Sequence, residues 1–83
     1  MTSPRIISFG EVLWDIFPDG EKFGGAPANF ACHAAILGGE VSMVTALGND
    51  RRGQLAINTL EDYGIDTELI QISPNTSTGI VQI

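Results

Sequence analysis

Apolar side chains dominate the first part of the chain in a pattern typical of extended strands. Residues 5–9 and 12–17 are rich in Ile, Val, Leu, Phe and Trp, and Gly10 separates the two runs. β-Branched and aromatic residues favour strands, and an internal glycine marks a break or bulge. The tripeptide at 18–20, Pro-Asp-Gly, has turn chemistry. We therefore predict two strand pieces, the second at 13–17, and an antiparallel return at 21–23 that completes a hairpin.

An alanine-rich run from Pro27 to Leu37 then changes the pattern from strand to helix. Proline fits the first turn of a helix, where its missing N–H costs nothing, and the pair Gly38 and Gly39 matches a C-terminal cap. Residues 41–47 are again apolar and predict a strand.

A second helix is predicted from Arg51 to about Tyr63. Asp50 or Asn49 is suited to cap its start, its apolar positions recur about once per turn, and Gly64 is suited to end it.

Two further strands are predicted at 68–72 and from 78 to the last residue, Ile83. The order strand, hairpin, helix, strand, helix, strand is typical of parallel strands joined by right-handed helical crossovers. The predicted fold class is therefore α/β, with an open sheet that leaves one edge unpaired and one face uncovered.

The amino-acid composition indicates that the chain is part of a larger α/β protein. The 83 residues are 43% hydrophobic and 17% charged, and a chain of this length buries only about 60% of its unfolded surface. A net charge of −6 with four cationic side chains argues against nucleic acid and acidic membranes as partners. Without a signal-peptide pattern, or an apolar run near the length of about 18 residues that a membrane helix needs, a cytoplasmic location is expected.

The glycine pair Gly24 and Gly25 is the first candidate for chemistry. Glycines before a helix allow the backbone to approach a ligand, and the helix N-terminus favours electron-rich groups. Asn29, in the first turn, has an amide that both donates and accepts, which suits a ligand rich in hydroxyls. A tight turn without a ligand, and an asparagine that pins a loop, explain the same residues.

Asp15 is a carboxylate among apolar residues of a predicted strand. Unpaired and facing an apolar interior it would be costly, so we expect it to face water or to accept hydrogen bonds from hydroxyl donors such as those of a sugar. Trp14 or Phe17 is placed to cover the less polar face of a sugar ring. The alternative is a solvated aspartate that discourages edge-to-edge aggregation.

Other polar residues are assigned structural roles. Cys32 is predicted as a small core residue, His33 as a helix-surface or packing residue, and Asp50 as a helix cap rather than a catalyst. No metal site is predicted, because His33 lacks partners at ligand spacing.

The glycine pair belongs to a longer pattern. Residues 24–31 read Gly-Gly-Ala-Pro-Ala-Asn-Phe-Ala, followed after six residues by Gly38 and after nine more by Gly48. This spacing resembles the first signature of the ribokinase/PfkB-type carbohydrate kinases. Residues 10–15 are also similar to the opening strand of its fructokinase-like branch, and residues 47–50 with Gly53 to the end of the signature. Essentially the whole chain is covered.

The resemblance implies an ATP-dependent kinase that phosphorylates a primary hydroxyl of a sugar, with ATP and Mg²⁺ as cofactors. It implies sugar binding by Asp15, Gly24, Gly25 and Asn29. The expected fold is the N-terminal part of a ribokinase-like three-layer α/β/α domain, with lid strands at about 12–23 and 78–83 and a homodimer formed through them. Ribokinases carry lysine where this chain has Ala26, which favours a fructose-like sugar or a keto-sugar acid.

The family's catalytic aspartate lies in a Gly-Ala-Gly-Asp-type motif that this sequence lacks. Phosphoryl transfer requires ATP, Mg²⁺ and a base around one acceptor oxygen. We therefore expect residues 1–83 to be an N-terminal segment of a single domain, without catalytic residues, cofactor binding or activity of its own.

Two other classes fit parts of the pattern. A dinucleotide-binding module would need a Gly-x-Gly-x-x-Gly turn, which is absent around Gly24, and an acidic residue at the end of the next strand to hold a ribose, which is absent from the end of strand 41–47. A non-catalytic association module would pair its hairpin with another copy and so cover the exposed edge.

Overall fold

The computed structural model describes residues 4–83; residues 1–3 of the predicted single segment lie outside the described residues. The described elements are β1 (Arg5–Phe9), β2 (Leu13–Phe17), β3 (Gly20–Gly24), α1 (Ala26–Ile36), β4 (Glu40–Val44), β5 (Ala46–Gly48), α2 (Arg51–Asp62), β6 (Gln71–Ser73) and β7 (Gly79–Gln82).

The predicted hairpin is confirmed. Strands β2 and β3 are antiparallel, with Leu13 opposite Gly24 and Phe17 opposite Gly20. Strand β7 adds to the other edge of β2 in parallel, with Leu13 opposite Gly79. The resulting three-stranded sheet, in the order β3-β2-β7, is called the hairpin sheet below.

A second group of strands is parallel, as the strand–helix alternation predicts. Strand β1 lies beside β4, from Arg5 opposite Glu40 to Phe9 opposite Val44, and β5 lies beside β6. Only Thr45 separates β4 from β5, and Ser42 also forms a parallel bridge to Asp66. Residues 40–48 therefore run between β1 and residues 66–73.

Two strand predictions need correction. The strand predicted at 41–47 is interrupted at Thr45, and the strand predicted at 68–72 begins only at Gln71. One more residue separates Asp66 from Gln71 than separates their partners on the neighbouring strand. A turn closed by the Ile70 N–H bond to the Thr67 carbonyl, at 3.1 Å, takes up this extra residue. Turn hydrogen bonds thus replace ladder bonds over residues 67–70.

The helices begin and end within one residue of their predicted bounds. Helix α1 starts one residue early at Ala26 and ends at Ile36, and α2 ends at Asp62. Gly38 and Gly64 follow them with φ of 95° and 78°, in the left-handed region that favours glycine. No helix within residues 4–83 has both the length and the apolar character needed to cross a membrane.

One hydrophobic cluster holds the helices on the parallel strands. Its buried members are Val12, Trp14, Ala28, Ala31, Cys32, Val41, Met43, Leu47, Ala56, Leu60 and Ile65. Because α1 and α2 both contribute to this cluster, both lie on one face of the strands. The opposite face of β1 carries Ile7 and Phe9, which are 68% and 78% exposed. The uncovered face predicted from the sequence is therefore present in the described part of the chain.

Candidate functional site

The glycine pair lies where β3 gives way to α1. Gly25 is the N-cap of α1 with φ +100°, and a Cβ added there would lie 2.7 Å from the carbonyl oxygen of Glu11. Only glycine meets both conditions without strain. The N-cap provides no side-chain hydrogen bond, and Pro27 has no N–H. The N–H of Ala26, an exposed residue in the first turn of α1, is therefore a backbone donor that no cap residue occupies.

The start of α1 is fixed against the segment that joins β1 to β2. The hydroxyl of Ser8, a buried residue, donates to the carbonyl of Pro27 at 2.7 Å. A Cβ added at Gly10, where φ is +135°, would lie 2.9 Å from Cγ of Pro27. Sequence reasoning missed this anchor, although a serine within an otherwise apolar strand was a usable signal.

Asp15 lies on β2, the central strand of the hairpin sheet, opposite Lys22 on one side and Val81 on the other. Its carboxylate lies directly above Gly24, where an added Cβ would be 2.9 Å from Oδ2. Within residues 4–83 this half-buried carboxylate has no hydrogen bond or salt bridge. The structure therefore places Asp15 against Gly24, next to Gly25 in the chain, with the acceptor oxygens of Asp15 free.

Trp14 lies on the other face of the sheet, so the prediction that it covers a ligand held by Asp15 is wrong. Alternation along a strand places neighbouring side chains on opposite faces. The ring of Trp14 is 8% exposed, contacts Phe23 edge-on at 5.5 Å, and donates from Nε1 to the carbonyl of Arg52 at 3.0 Å. Phe17 shares the face of Asp15, where it lies 5.6 Å from Nζ of Lys22, and remains the aromatic candidate.

Asn29 lies one turn into α1, where its backbone N–H donates to the carbonyl of Gly25 at 2.9 Å. Its side chain is exposed and makes no hydrogen bond with residues 4–83. The alternative in which Asn29 caps the helix or pins a loop is therefore not what the structure shows. The amide is free to bind a ligand.

A polar network at the start of α2 was only partly predicted. Asp50 caps the helix by accepting from the Gly53 N–H at 2.7 Å, as expected. The same carboxylate accepts from the hydroxyl and the N–H of Thr78, at 2.6 and 2.8 Å, and the Thr78 hydroxyl accepts from the Gly48 N–H at 3.0 Å. Hydrogen bonds from Thr78 and Gly53 lower the pKa of Asp50. A contact between residues this far apart in sequence gives no local signal.

Glu21 on β3 forms a second connection to α2. Its two carboxylate oxygens each lie 3.1 Å from a guanidinium nitrogen, one of Arg51 and one of Arg52. Partial burial would raise the pKa of Glu21, but hydrogen bonds from Arg52 and Arg51 outweigh this effect and lower it. Two of the chain's four cationic side chains thus pair with one carboxylate.

The remaining polar candidates behave as structural residues. His33 is exposed on α1, and Cys32 is buried in the core, where burial raises the pKa of its thiol. No group of three His, Cys, Asp or Glu side chains within residues 4–83 is arranged to hold a metal ion.

The candidate site offers the free carboxylate of Asp15 above Gly24 and a backbone donor at the start of α1, and the free side-chain amide of Asn29 lies one turn further along the helix. Charged acceptors form short, strong hydrogen bonds with hydroxyls, and donors at a helix N-terminus favour electron-rich oxygens. A separate cavity of about 300 Å³ lies at the carboxyl ends of β1 and β4, and its lining residues include Phe9, Gly10 and Leu69. Ligands of open α/β sheets bind at this end of the strands. The site is suited to a small molecule with several hydroxyl groups.

Known proteins are similar to this chain in fold and in sequence. The fructokinase of Vibrio cholerae O395, solved with fructose, ADP and calcium ion bound, matches with a TM-score of 0.90 and 32% identity, over 96% of this chain and 28% of that one. A probable fructokinase-5 of Arabidopsis thaliana is 33% identical over 90 residues, which are 94% of this chain and 28% of the relative. The fructokinase of Klebsiella pneumoniae is 33% identical over 86 residues, with 95% and 28% coverage.

The chain therefore spans less than a third of the length of these relatives. The structural match confirms the predicted ribokinase-like α/β fold class. Residues 5–83 match the family described as pfkB family carbohydrate kinase, and the chain belongs to that family.

Proposed function

We propose that this chain forms the sugar-binding part of an ATP-dependent kinase that phosphorylates a primary hydroxyl of a fructose-like sugar. The observation that carries the proposal is the unpaired carboxylate of Asp15 above Gly24 and beside the start of α1. In this proposal Asp15 accepts hydrogen bonds from sugar hydroxyls, the glycine backbone approaches the ring, and the amide of Asn29 binds a further hydroxyl.

The choice of a fructose-like sugar is supported by the relatives, which are named fructokinases, and by the fructose in the Vibrio cholerae structure. Ala26 also presents no side-chain amine at the start of α1. A keto-sugar acid is the competing substrate, and a direct comparison of turnover separates the two.

The hairpin sheet acts as the lid in this proposal. Asp15 lies on its central strand, so any movement of the sheet carries the carboxylate toward or away from the sugar. Closure would exclude water from the reacting groups, which strengthens electrostatic interactions among them.

ATP and Mg²⁺ are proposed to bind elsewhere than residues 4–83. The Vibrio cholerae fructokinase was solved with ADP and calcium ion, whereas residues 4–83 bring together no group of three His, Cys, Asp or Glu side chains that could hold an ion. Since phosphoryl transfer requires both, the 83 residues alone are expected to produce no ADP when mixed with ATP and fructose. A cytoplasmic location is part of the same proposal.

The test is steady-state kinetics of the protein expressed from its complete gene. Asp15→Asn and Asn29→Ala are compared with Asp19→Asn, a change at an exposed carboxylate in the turn of the same hairpin. A hydrogen bond to a charged group contributes about 1.5–3 kcal/mol, so we expect Asp15→Asn to lower kcat/KM for fructose at least about tenfold. Asn29→Ala should have a smaller effect in the same direction.

Unchanged kcat/KM for fructose and for keto-sugar acids in both variants would remove the site assignment. An equal loss in Asp19→Asn would show that the effect is a general one of charge on the hairpin.

The association alternative rests on β3, which is an outer strand of the hairpin sheet. Both the sugar kinase and the non-catalytic association module would form a dimer through the lid strands of two copies, because an unpaired strand edge is a template for another strand. Light scattering over a concentration series, with and without fructose, separates them. A dimer that forms but neither binds nor phosphorylates a sugar would favour the non-catalytic module.

A further inference from the structure

Two strands of the hairpin sheet, and the residue that immediately precedes the third, make polar contacts with the start of α2 at residues 50–52. The three contacts are those of Asp50 with Thr78, of Trp14 Nε1 with the Arg52 carbonyl, and of Glu21 with Arg51 and Arg52. Thr78 immediately precedes β7, Trp14 lies on β2 and Glu21 lies on β3. The sheet is therefore attached at three points to one short segment, residues 50–52.

Asp15 has no such attachment of its own. Its carboxylate makes no hydrogen bond within the described residues, and its neighbours across the ladder are Lys22 on β3 and Val81 on β7. Its position is consequently set by the two outer strands and by β2 itself. Each of these strands is held by the start of α2.

The junction leaves little room to shift. A Cβ added at Gly53 would meet the Gly48 carbonyl oxygen and lie 2.9 Å from Oγ1 of Thr78. A Cβ added at Gly48 would meet the backbone N of Thr78 and lie 2.7 Å from Oδ2 of Asp50. Gly48 and Gly53 pack closely around the hydroxyl of Thr78 and the carboxylate of Asp50. No empty space is left into which Thr78 could move.

We propose that the first turn of α2 positions the hairpin sheet and through it the sugar-binding carboxylate of Asp15, with Asp50, Thr78 and Glu21 as positioning residues. The inference rests on the proposed function for the identity of the ligand. It adds that affinity for the sugar depends on residues that do not touch it.

The first test replaces Thr78 by Val, which keeps the shape but removes the hydroxyl, and by Ser, which keeps the hydroxyl. Thr59→Val is the matched control, because its hydroxyl donates to the Leu55 carbonyl at 2.8 Å within α2 and has no connection to the sheet. In the protein from the complete gene, we expect Thr78→Val to raise KM for fructose about tenfold or more, with KM for ATP unchanged. Thr78→Ser, which keeps the hydroxyl, should have a KM for fructose close to that of the wild type.

Hydrogen exchange supplies a readout that does not require activity. In Thr78→Val the amides of β2 and β7 should exchange faster by about tenfold or more, while those of α1 and β4 keep wild-type rates. Thr59→Val should leave the hairpin sheet protected. If the wild type phosphorylates no sugar, the proposed function fails, yet exchange still reports whether the start of α2 holds the sheet.

A second variant, Glu21→Gln, tests the proposal independently in case Thr78→Val fails to fold. Glu21→Gln removes the charge that faces Arg51 and Arg52, and Glu40→Gln, which alters the exposed pair with Arg5 at 3.6 Å, is its control. Glu21→Gln should raise KM for fructose and speed exchange in β3 and β2, whereas Glu40→Gln should do neither. Wild-type KM and exchange in both Thr78→Val and Glu21→Gln would overturn the proposal, as would faster exchange spread evenly over all elements.

Discussion

Gly25 combines two requirements that are independent of any ligand. Its φ of +100° is rare for residues with a side chain, and the Glu11 carbonyl occupies the place of a Cβ. These requirements bring the start of α1 within reach of Asp15, whose own carboxylate fills the space above Gly24. Because Gly24 and Gly25 have no side chains, there is space for the carboxylate of Asp15 beside the start of α1.

Replacing Gly25 by Ala should therefore destabilise the chain by about 2–5 kcal/mol, from the backbone conformation and the clash together. Gly64→Ala is the matched control, because Gly64 has φ +78° and no heavy atom near an added Cβ. It should lose only the conformational part, about 1–2 kcal/mol. Urea unfolding followed through Trp14, the sole tryptophan of the sequence, measures both. Equal losses would show that the Glu11 carbonyl moves aside.

Helix α2 shows how one element serves two purposes. Its start is capped by Asp50, and the same carboxylate holds Thr78 at the beginning of β7. The cap was predictable, since a cap acts between neighbours in sequence. The bond to Thr78 was not, because nothing local distinguishes an aspartate with one role from an aspartate with two.

The difference between local and long-range interactions also explains which helices and strands were predicted correctly. Turn residues 18–20 and Pro27 acted through local backbone geometry, so the hairpin and α1 were predicted within a residue of their bounds. The start of the strand predicted at 68–72 depended on register with the neighbouring strand, and the orientation of Trp14 on which face meets α2. The strand begins three residues later than predicted, and Trp14 faces away from Asp15. The positions of Gly24, Gly25 and Asp15 followed from the hairpin, whereas the anchor of Ser8 on Pro27 required the assembled fold.

Acid should weaken the capping network of α2. The pKa of Asp50 in the folded chain lies below its ordinary value of 3.8, so its stabilisation is complete above that pH and is lost as the pH falls through the folded value. Glu21, whose pKa is also lowered, contributes with the same sign. Unfolding free energies measured between about pH 6 and about pH 2 should show the wild type losing its advantage over Asp50→Ala in acid.

At neutral pH, Asp50→Ala should cost about 0.5–2 kcal/mol for the cap alone, and more because the Thr78 N–H loses its acceptor. Asp62→Asn, at the opposite end of α2, serves as the control and should leave stability almost unchanged. A constant difference between wild type and Asp50→Ala over the whole pH range would contradict the assignment.

The molecule as a whole is one-sided. Both helices cover the same face of the parallel strands, while Ile7 and Phe9 on the other face remain open to water. Exposed apolar area of this kind drives association.

The 83-residue chain should accordingly associate with rising concentration and bind a hydrophobic dye. Ile7→Thr combined with Phe9→Thr should reduce both effects severalfold, because the substitutions remove apolar area from β1 while retaining β-propensity. Phe30→Ser, at a 56% exposed site on α1, is the control and should reduce them less. Sedimentation of the wild type, the Ile7→Thr/Phe9→Thr variant and Phe30→Ser at matched concentrations measures how strongly each associates. Equal behaviour would locate the associating surface elsewhere.

The parallel pairing of Leu13 with Gly79 has a consequence for the order in which the chain acquires structure during synthesis. The two hairpin strands are adjacent in sequence and close through a short turn, whereas β7 emerges only after both helices have been made. Contacts between distant parts of a chain form late, because a long loop must be closed first. On the ribosome, the edge of β2 that pairs with β7 therefore has no partner strand while α1 and α2 are being made, and the hairpin sheet that carries Asp15 is completed only after both helices.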